Sequence, residues 1–181
     1  PGGFKAVAID EVDLGGGVDV GDVNNPYGRI VRLRQDFPQL AIFVWGYNAR
    51  NAKSPPLTIL KNYADRIMVE LYYSEGNTGF VEGIKSSIQK IAERCRNQDC
   101  DGILAKTVVG LATADTENWC YDCYADKDFP KHIAGEIYFI KTDGLLRNLP
   151  GIAFYSYTRT RVETQIWINK LMRYYYLEGN T

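Results

Sequence analysis

The stretch Leu40-Ala-Ile-Phe-Val-Trp45 decides the fold class, because every residue in it is apolar. A strand with one face in water alternates apolar and polar residues, whereas a strand covered on both faces is apolar throughout. Four further β-rich segments occur, over residues 4–14, 66–73, 101–110 and 151–157. Helical patterns separate these segments. The sequence therefore predicts an α/β fold of repeated β-α units with parallel strands.

The spacing of apolar residues predicts the helices. The longest helix is expected over residues 79–96, where one apolar stripe contains Phe80, Ile84, Ile88, Ile91 and Cys95. The other helices are expected over 27–36, from Ser54 onward, over 131–146 and over 162–176. Ser54 is the expected cap of its helix. Residues 111–128 are an irregular insertion to which no element is assigned.

Two architectures use such units. A flavodoxin-like open sheet has five strands in about this length, whereas a (β/α)8 barrel has eight strands in about 250 residues. The chain begins at Pro1 and reaches its first predicted strand at Phe4. This abrupt start favours a partial (β/α)8 TIM barrel, with the flavodoxin-like open sheet as the alternative. Residues 1–181 are then a single α/β domain, the C-terminal portion of a larger barrel from which a signal peptide or an N-terminal portion is removed.

Polar and aromatic side chains follow the predicted strands where each one ends. They are Asp10, Glu11 and Asp13 after the first strand, Tyr47 and Asn48 after the second, Glu70 and Tyr72 late in the third, and Tyr155 in the fifth. Functional residues of barrels lie at the C-terminal ends of several strands. This distribution is the second reason for preferring the barrel.

A pair of these acids suits glycoside hydrolysis, in which one carboxyl protonates the leaving oxygen and a second acts as nucleophile or base. Glu11 and Glu70 are the candidate catalytic pair. The candidate substrate-binding residues are Asp10, Asp13, Trp45, Tyr47, Asn48, Tyr72 and Tyr155, with Trp119 and Tyr121 as further stacking rings. The alternatives are that the acids cap helices, form ion pairs with Arg50 and Arg159, or hold Ca²⁺ or Mg²⁺.

On these residues the chain resembles the C-terminal part of TIM-barrel glycoside hydrolases and their relatives. Val7-Ala-Ile-Asp-Glu11 resembles a fourth barrel strand ending in an acid, Ala41–Tyr47 a fifth, Ile67–Tyr72 a sixth and Gly151–Tyr155 an eighth. The resemblance implies that Glu11 is the general acid. It also implies a nucleophilic glutamate on the seventh strand.

The chain departs from that pattern at three points. Asp10 precedes the acid where the large retaining clan has asparagine, and residues 102–110 offer only Lys106 where the nucleophile is expected. The spaced aspartates of the chitinase-like pattern are also absent. Glu70 must then act from the sixth strand, or the chain is a non-catalytic relative.

Composition excludes several other classes. With 21 basic and 22 acidic residues, the chain has no net charge that favours nucleic acid or an anionic membrane. No apolar run is long enough to span a membrane, and no phosphate loop or dinucleotide fingerprint is present. We expect no cofactor and no metal. The single histidine, His132, is expected at the surface.

Four cysteines occur in two close pairs, Cys95/Cys100 and Cys120/Cys123. Two local disulfides in a secreted or extracytoplasmic protein are the first interpretation, and free thiols, a zinc site or a redox pair are the alternatives. Open edge strands associate readily. The partial barrel therefore predicts a homo-oligomer, or association with the missing N-terminal portion.

Three functions fit these observations. The first is a glycoside hydrolase-like, carbohydrate-active protein that acts on a polysaccharide or glycoconjugate through paired carboxylates. The second is a non-catalytic carbohydrate-binding or structural protein on the same fold. The third is an open-sheet enzyme of another class.

Overall fold

The structure is a computed structural model that describes residues 4–73, 79–115 and 128–180. The chain divides into two compact units. The first unit comprises Pro1–Glu70, Ser86–Val109 and Leu149–Gly151, and the second comprises Leu71–Lys85, Gly110–Asn148 and Ile152–Thr181.

Five strands form one sheet in which chain order and spatial order are the same. They are β1 (Ala6–Asp13), β2 (Ala41–Tyr47), β3 (Arg66–Glu70), β4 (Thr107–Ala112) and β5 (Ile152–Tyr155). The β1–β2 and β2–β3 pairs are parallel. A flavodoxin-like sheet has the strand order 2-1-3-4-5, whereas a barrel places each strand beside the next one in the chain. The observed order is that of the barrel.

Helices follow the strands at the expected places. They are α1 (Pro26–Asp36), α2 (Ser54–Tyr63), α3 (Phe80–Cys95), α4 (Phe129–Thr142) and α5 (Val162–Met172). A turn of π-helix, Arg173–Leu177, continues from α5. The apolar stripe predicted for α3 is confirmed, because Ile84, Ile88, Ile91 and Cys95 are all buried.

The two faces of the sheet differ in the first unit. On β2, Ile42, Val44 and Gly46 are buried, whereas the alternate residues are partly or largely exposed. On β3, Ile67 and Val69 are buried in the same way. These buried residues are register partners, Val44 with Ile67 and Gly46 with Val69, so they share one apolar face. The opposite face is open and is available for a site.

Asp65 joins three elements of this unit. Its carboxylate accepts hydrogen bonds from the Ile42 amide at 2.7 Å and from the Arg34 guanidinium at 2.6 Å. Burial opposes ionisation, but the Ile42 amide and the Arg34 charge together lower the pKa of Asp65. Arg34 also donates to the carbonyl oxygens of Tyr63, Pro38 and Leu40. The end of α1 is therefore tied to the starts of β2 and β3.

Two local predictions are wrong. Ser54 is the first residue of α2 rather than its cap, which is Lys53. Residues 103–106 form a 3-10 turn, so β4 starts only at Thr107. The helix predicted over residues 131–146 is confirmed by α4, which includes Ile137–Ile140 although these residues have β character. Ile133, Ile137 and Ile140 fall on one buried helical face there, and this packing outweighs their β propensity.

Candidate functional site

A β-bulge places Asp10 and Glu11 at the end of β1. The register passes from Ile9 opposite Val44 to Val12 opposite Gly46, so Asp10 and Glu11 together face Trp45. Glu11 adopts the left-handed conformation with φ 56°, and its amide donates to Oδ1 of Asp10 at 2.9 Å. A bulge re-aims side chains and is common beside active sites. Both carboxylates are exposed.

Glu70 ends β3, two strands away from the bulge. It continues the row of Arg66 and Met68, which pair with Phe43 and Trp45, so it belongs to the open face. Burial of the half-exposed carboxyl raises its pKa to about 7, and the charges of Asp10 and Glu11 raise it further in the same direction. Two strand spacings are about 10 Å at the backbone. The structure thus brings together Asp10, Glu11 and Glu70, all in the first unit.

Two aromatic residues of β2 lie on the face that carries these acids. Trp45 is half-buried and pairs with Met68, and Tyr47 is 40% exposed and pairs with Asp13. They alternate with the buried residues Val44 and Gly46, because side chains on a strand point to opposite faces in turn. An aromatic face beside carboxylates suits the apolar face of a sugar ring.

Asp13 and Asn48 contact each other. Oδ1 of Asp13 accepts from the Gly15 amide and from Nδ2 of Asn48, both at 2.9 Å. Asn48 has φ 63° and accepts a hydrogen bond from Asn51 at 2.7 Å. These bonds hold the loop after β1 to the turn after β2. The two residues therefore shape the rim of the open face, and their predicted role in binding substrate stays a prediction.

Tyr72 and Tyr155 belong to the second unit. Their rings stack with centroids 5.5 Å apart and an interplanar angle of 24°. Tyr155 also accepts hydrogen bonds at its carbonyl oxygen from the amide and hydroxyl of Thr113. Sugar stacking by Tyr72 and Tyr155 stays a prediction, and it concerns the second unit alone.

An acid that the sequence analysis missed, Asp115, follows β4. It is buried and accepts hydrogen bonds from the Arg161 amide at 2.7 Å and from the Thr164 hydroxyl at 2.7 Å. These donors begin α5, so Asp115 caps that helix from another loop. Lys106, the charged residue noted where a nucleophile was expected, donates to the carbonyl oxygens of Lys61 and Ala64 and closes the end of α2.

The prediction that His132 is a surface residue is wrong, because its side chain is only 6% exposed. Its ring lies 5.2 Å from that of Phe80 and 6.2 Å from that of Phe129. Nε2 donates to the Tyr73 carbonyl oxygen at 3.0 Å and lies 3.6 Å from Oε1 of Glu136. His132 and Glu136 are one helical turn apart on α4, next to Ile133 and Ile137, which are buried. This spacing is the sequence signal that indicates the burial of His132.

A disulfide joins Cys95 to Cys100, as the first interpretation of the cysteines predicts. This bond removes both thiols from a zinc site. Cys120, Cys123, Trp119 and Tyr121 lie outside the described residues. Within the described ranges, no three acidic, histidine or cysteine residues are grouped to hold a metal ion, so the Ca²⁺ or Mg²⁺ alternative at the β1 bulge finds no support.

Comparison with known proteins shows similarity in fold. No protein-family model matches the chain, and no curated protein matches it. The catalytic domain of a hyperthermophilic chitinase from Pyrococcus furiosus matches with a TM-score of 0.54 and 8% identity, over 94% of this chain and 61% of that one. Catalytic-site mutants of active domain 2 of a thermostable chitinase from Pyrococcus furiosus, complexed with chito-oligosaccharides, match with a TM-score of 0.52 and 10% identity, over 96% and 62%.

These matches confirm the fold class, an α/β fold with parallel strands that corresponds to part of a TIM barrel. The chain spans about three fifths of the length of the chitinase structures. In the part of the chain that the structure describes, no helix is both long and apolar enough to cross a membrane.

Proposed function

We propose that the chain is a glycoside hydrolase-like, carbohydrate-active protein that acts on a polysaccharide or glycoconjugate. The observation that carries this proposal is Glu70, a half-buried carboxyl with a pKa of about 7 beside the acids Asp10 and Glu11. A carboxyl group that keeps its proton near neutral pH can act as a general acid, and a carboxylate beside it can act as nucleophile or base. Chito-oligosaccharides are the first substrates to try, because one of the similar chitinases is complexed with them.

Glu70 is the general acid in this proposal. Close to neutral pH about half of its carboxyl groups carry a proton, so it can protonate the glycosidic oxygen as the bond breaks. Glu11 is exposed on the bulge and is the nucleophile or the base that activates water. This assignment reverses the role that the resemblance implies for Glu11. The reason is that burial favours the protonated form of Glu70.

The neighbouring residues position the substrate. Trp45 and Tyr47 supply rings against which a sugar stacks, and Asp10 orients Glu11 through its bond to the Glu11 amide. Asp13 and Asn48 hold the rim of the open face. Tyr72 and Tyr155 stay proposed as a sugar-stacking pair of the second unit.

The test compares wild type with Glu70→Gln and Glu11→Gln on chito-oligosaccharides, with Glu163→Gln, an exposed acid on α5, as the matched control. Each of the first two variants is expected to lose hydrolysis about 100-fold or more, because proton transfer and covalent or base catalysis each contribute at least that much. The control keeps wild-type turnover. The wild-type rate falls as pH rises through about 7, where Glu70 loses its proton.

Unchanged turnover in Glu70→Gln, or a rate that continues to rise above pH 7, contradicts the assignment of Glu70. A wild-type chain that binds the oligosaccharide without cleaving it supports a second function, a non-catalytic carbohydrate-binding protein. The exposed ring of Tyr47 favours that function, because stacking needs no acid.

Export and self-association complete the proposal. The Cys95–Cys100 disulfide fits an oxidising compartment, so we infer that the chain is secreted. β1 is the first strand in the sheet order, with Ala6 and Ala8 exposed and Phe4 97% exposed beside it. Such a strand suits pairing with a second copy or with an N-terminal portion.

A further inference from the structure

A basic groove lies in the first unit. It has a volume of about 720 Å³, and it is bounded by the turn before α2 and by the C-terminal half of α3. Its basic residues are Arg50, Lys90, Arg94 and Arg96, and Glu93 is the acid among its lining residues. We call this feature the basic groove.

The charge of the basic groove differs from that of the chain. Basic and acidic residues nearly balance over the whole sequence, 21 against 22, whereas the groove has four basic residues and one acidic residue. Lys90 and Arg94 are four residues apart on α3, where two like charges destabilise a helix by about 0.2–0.5 kcal/mol. An anion between them converts this repulsion into attraction. The concentration of charge thus indicates an anionic ligand.

The disulfide preorganises the basic groove. Cys95 and Cys100 close the loop that follows α3, and this loop carries Arg96 and Gln98. The Sγ atom of Cys100 lies 3.6 Å from the hydroxyl of Ser54, which also lines the groove. Lys61 further donates to the Asp99 carbonyl oxygen at 2.9 Å. The two walls are therefore fixed to each other, so a ligand loses little free energy to ordering them.

We propose that the basic groove binds the anionic groups of a polysaccharide, which are sulfate esters or uronate carboxylates. This inference rests on the proposed carbohydrate function and adds its substrate class. Arginine guanidinium groups match both oxyanions with paired hydrogen bonds. Arg50, Arg94 and Arg96 come from both walls, so a chain of several sugar units contacts more of them than a single small ion does.

The test measures binding by titration calorimetry, using a sulfated heparin oligosaccharide, a polygalacturonate oligosaccharide and neutral dextran. We expect one of the two anionic sugars to bind. Whether it is the sulfated sugar or the uronate sugar identifies the anionic group that the groove recognises. Dextran is expected not to bind at the groove. The double variant Arg94→Glu/Arg96→Glu is expected to bind about tenfold or more weakly, because two attractive contacts become repulsive.

The matched control is Arg29→Glu/Arg147→Glu, which makes the same change in net charge at exposed arginines outside the groove. It is expected to bind like wild type. Cys100→Ser, checked for folding by circular dichroism, is expected to bind more weakly because the loop after α3 is released. Equal loss in both double variants overturns the proposal, since it shows attraction to net charge alone.

Two further outcomes overturn the proposal. A single-stranded DNA oligonucleotide of the same charge that binds as tightly as the sugar shows a general polyanion surface. Binding of inorganic sulfate with no gain from an attached sugar chain shows a small-ion site. Calorimetry measures binding without turnover, so a wild-type chain that binds the anionic sugar at the groove but cleaves no oligosaccharide contradicts the hydrolase assignment and leaves this one standing.

Discussion

At the residue scale, Glu11 combines an exposed carboxylate with a backbone conformation that favours glycine. Its φ of 56° costs about 1–2 kcal/mol for a residue with a Cβ atom. The Asp10 carboxylate accepts a hydrogen bond from the Glu11 amide, and this bond stabilises the bulge. Strained residues persist where the surrounding structure determines them, and they cluster at functional sites. This conformation supports a functional role for the bulge, in addition to the carboxylates themselves.

Replacing Glu11 by glycine is expected to stabilise the protein relative to Glu11→Ala. Both variants remove the charge near Glu70, so their difference isolates the backbone. Glycine adopts the positive φ freely, whereas alanine keeps the strain, and the difference in the free energy of unfolding is about 1 kcal/mol in favour of glycine. Urea denaturation at pH 7 measures it. Equal stability of the two variants contradicts strain at this position.

At the element scale, one face of β2 is fully packed, and this packing stabilises the first unit. Gly46 of that face lies beside Leu14, which is 0% exposed, and a Cβ atom at Gly46 would lie 2.8 Å from Cδ2 of Leu14. Leu14 thereby covers the end of β2, and its amide donates to the Tyr47 carbonyl oxygen at 3.1 Å. The absence of a side chain at position 46 is what lets the loop after β1 approach the strand.

Gly46→Ala is expected to lower the free energy of unfolding by about 1–3 kcal/mol, because Leu14 must move out of a well-packed position. Gly17→Ala is the matched control, since an added Cβ atom there meets nothing within 4 Å. Thermal denaturation of the two variants checks the prediction. A Gly46→Ala protein as stable as the control would show that Leu14 shifts freely.

At the scale of the whole molecule, the order of the strands and the distribution of charge are the main features. Each strand pairs with the next one along the chain, which is why acids from β1 and β3 reach the same open face across β2. Charge that balances over the sequence is concentrated locally in the basic groove. The Cys95–Cys100 disulfide lies at that groove. Binding at the groove therefore depends on whether the compartment keeps this bond oxidised.

Trypsin digestion without reduction is expected to release Cys95–Arg96 still bonded to Asn97–Lys106. Arg94, Arg96 and Lys106 are the cleavage sites, and the Cys95–Cys100 bond is the link between the two fragments. Mass spectrometry of the native protein, alkylated before digestion, detects the pair. Reduction provides the control, because it separates the fragments. Alkylated Cys95 in the unreduced sample contradicts the bond and the inference of export.

Much of the fold was predictable from local patterns. The apolar runs at β2 and β3 and the stripe along α3 predicted buried strands and a helix, because burial on a strand or a helix imposes a period on the sequence. The boundaries of β4 and the cap of α2 were not predictable in this way. Residues 103–106 are apolar enough for a strand, yet they form a 3-10 turn whose last side chain, Lys106, closes α2.

The sequence by itself determined the class of fold, the presence of acids and aromatic residues at strand ends, and the disulfide between two close cysteines. Only the tertiary structure decided what each acid does. Glu70 is shifted toward its protonated form, Asp13 holds a rim and Asp115 caps a helix. The tertiary structure also buries His132 and places Arg50, Arg94 and Arg96 in one groove. The physical reason is that a pKa, a hydrogen bond or a local charge depends on distances in space, which residues far apart in the chain acquire only on folding.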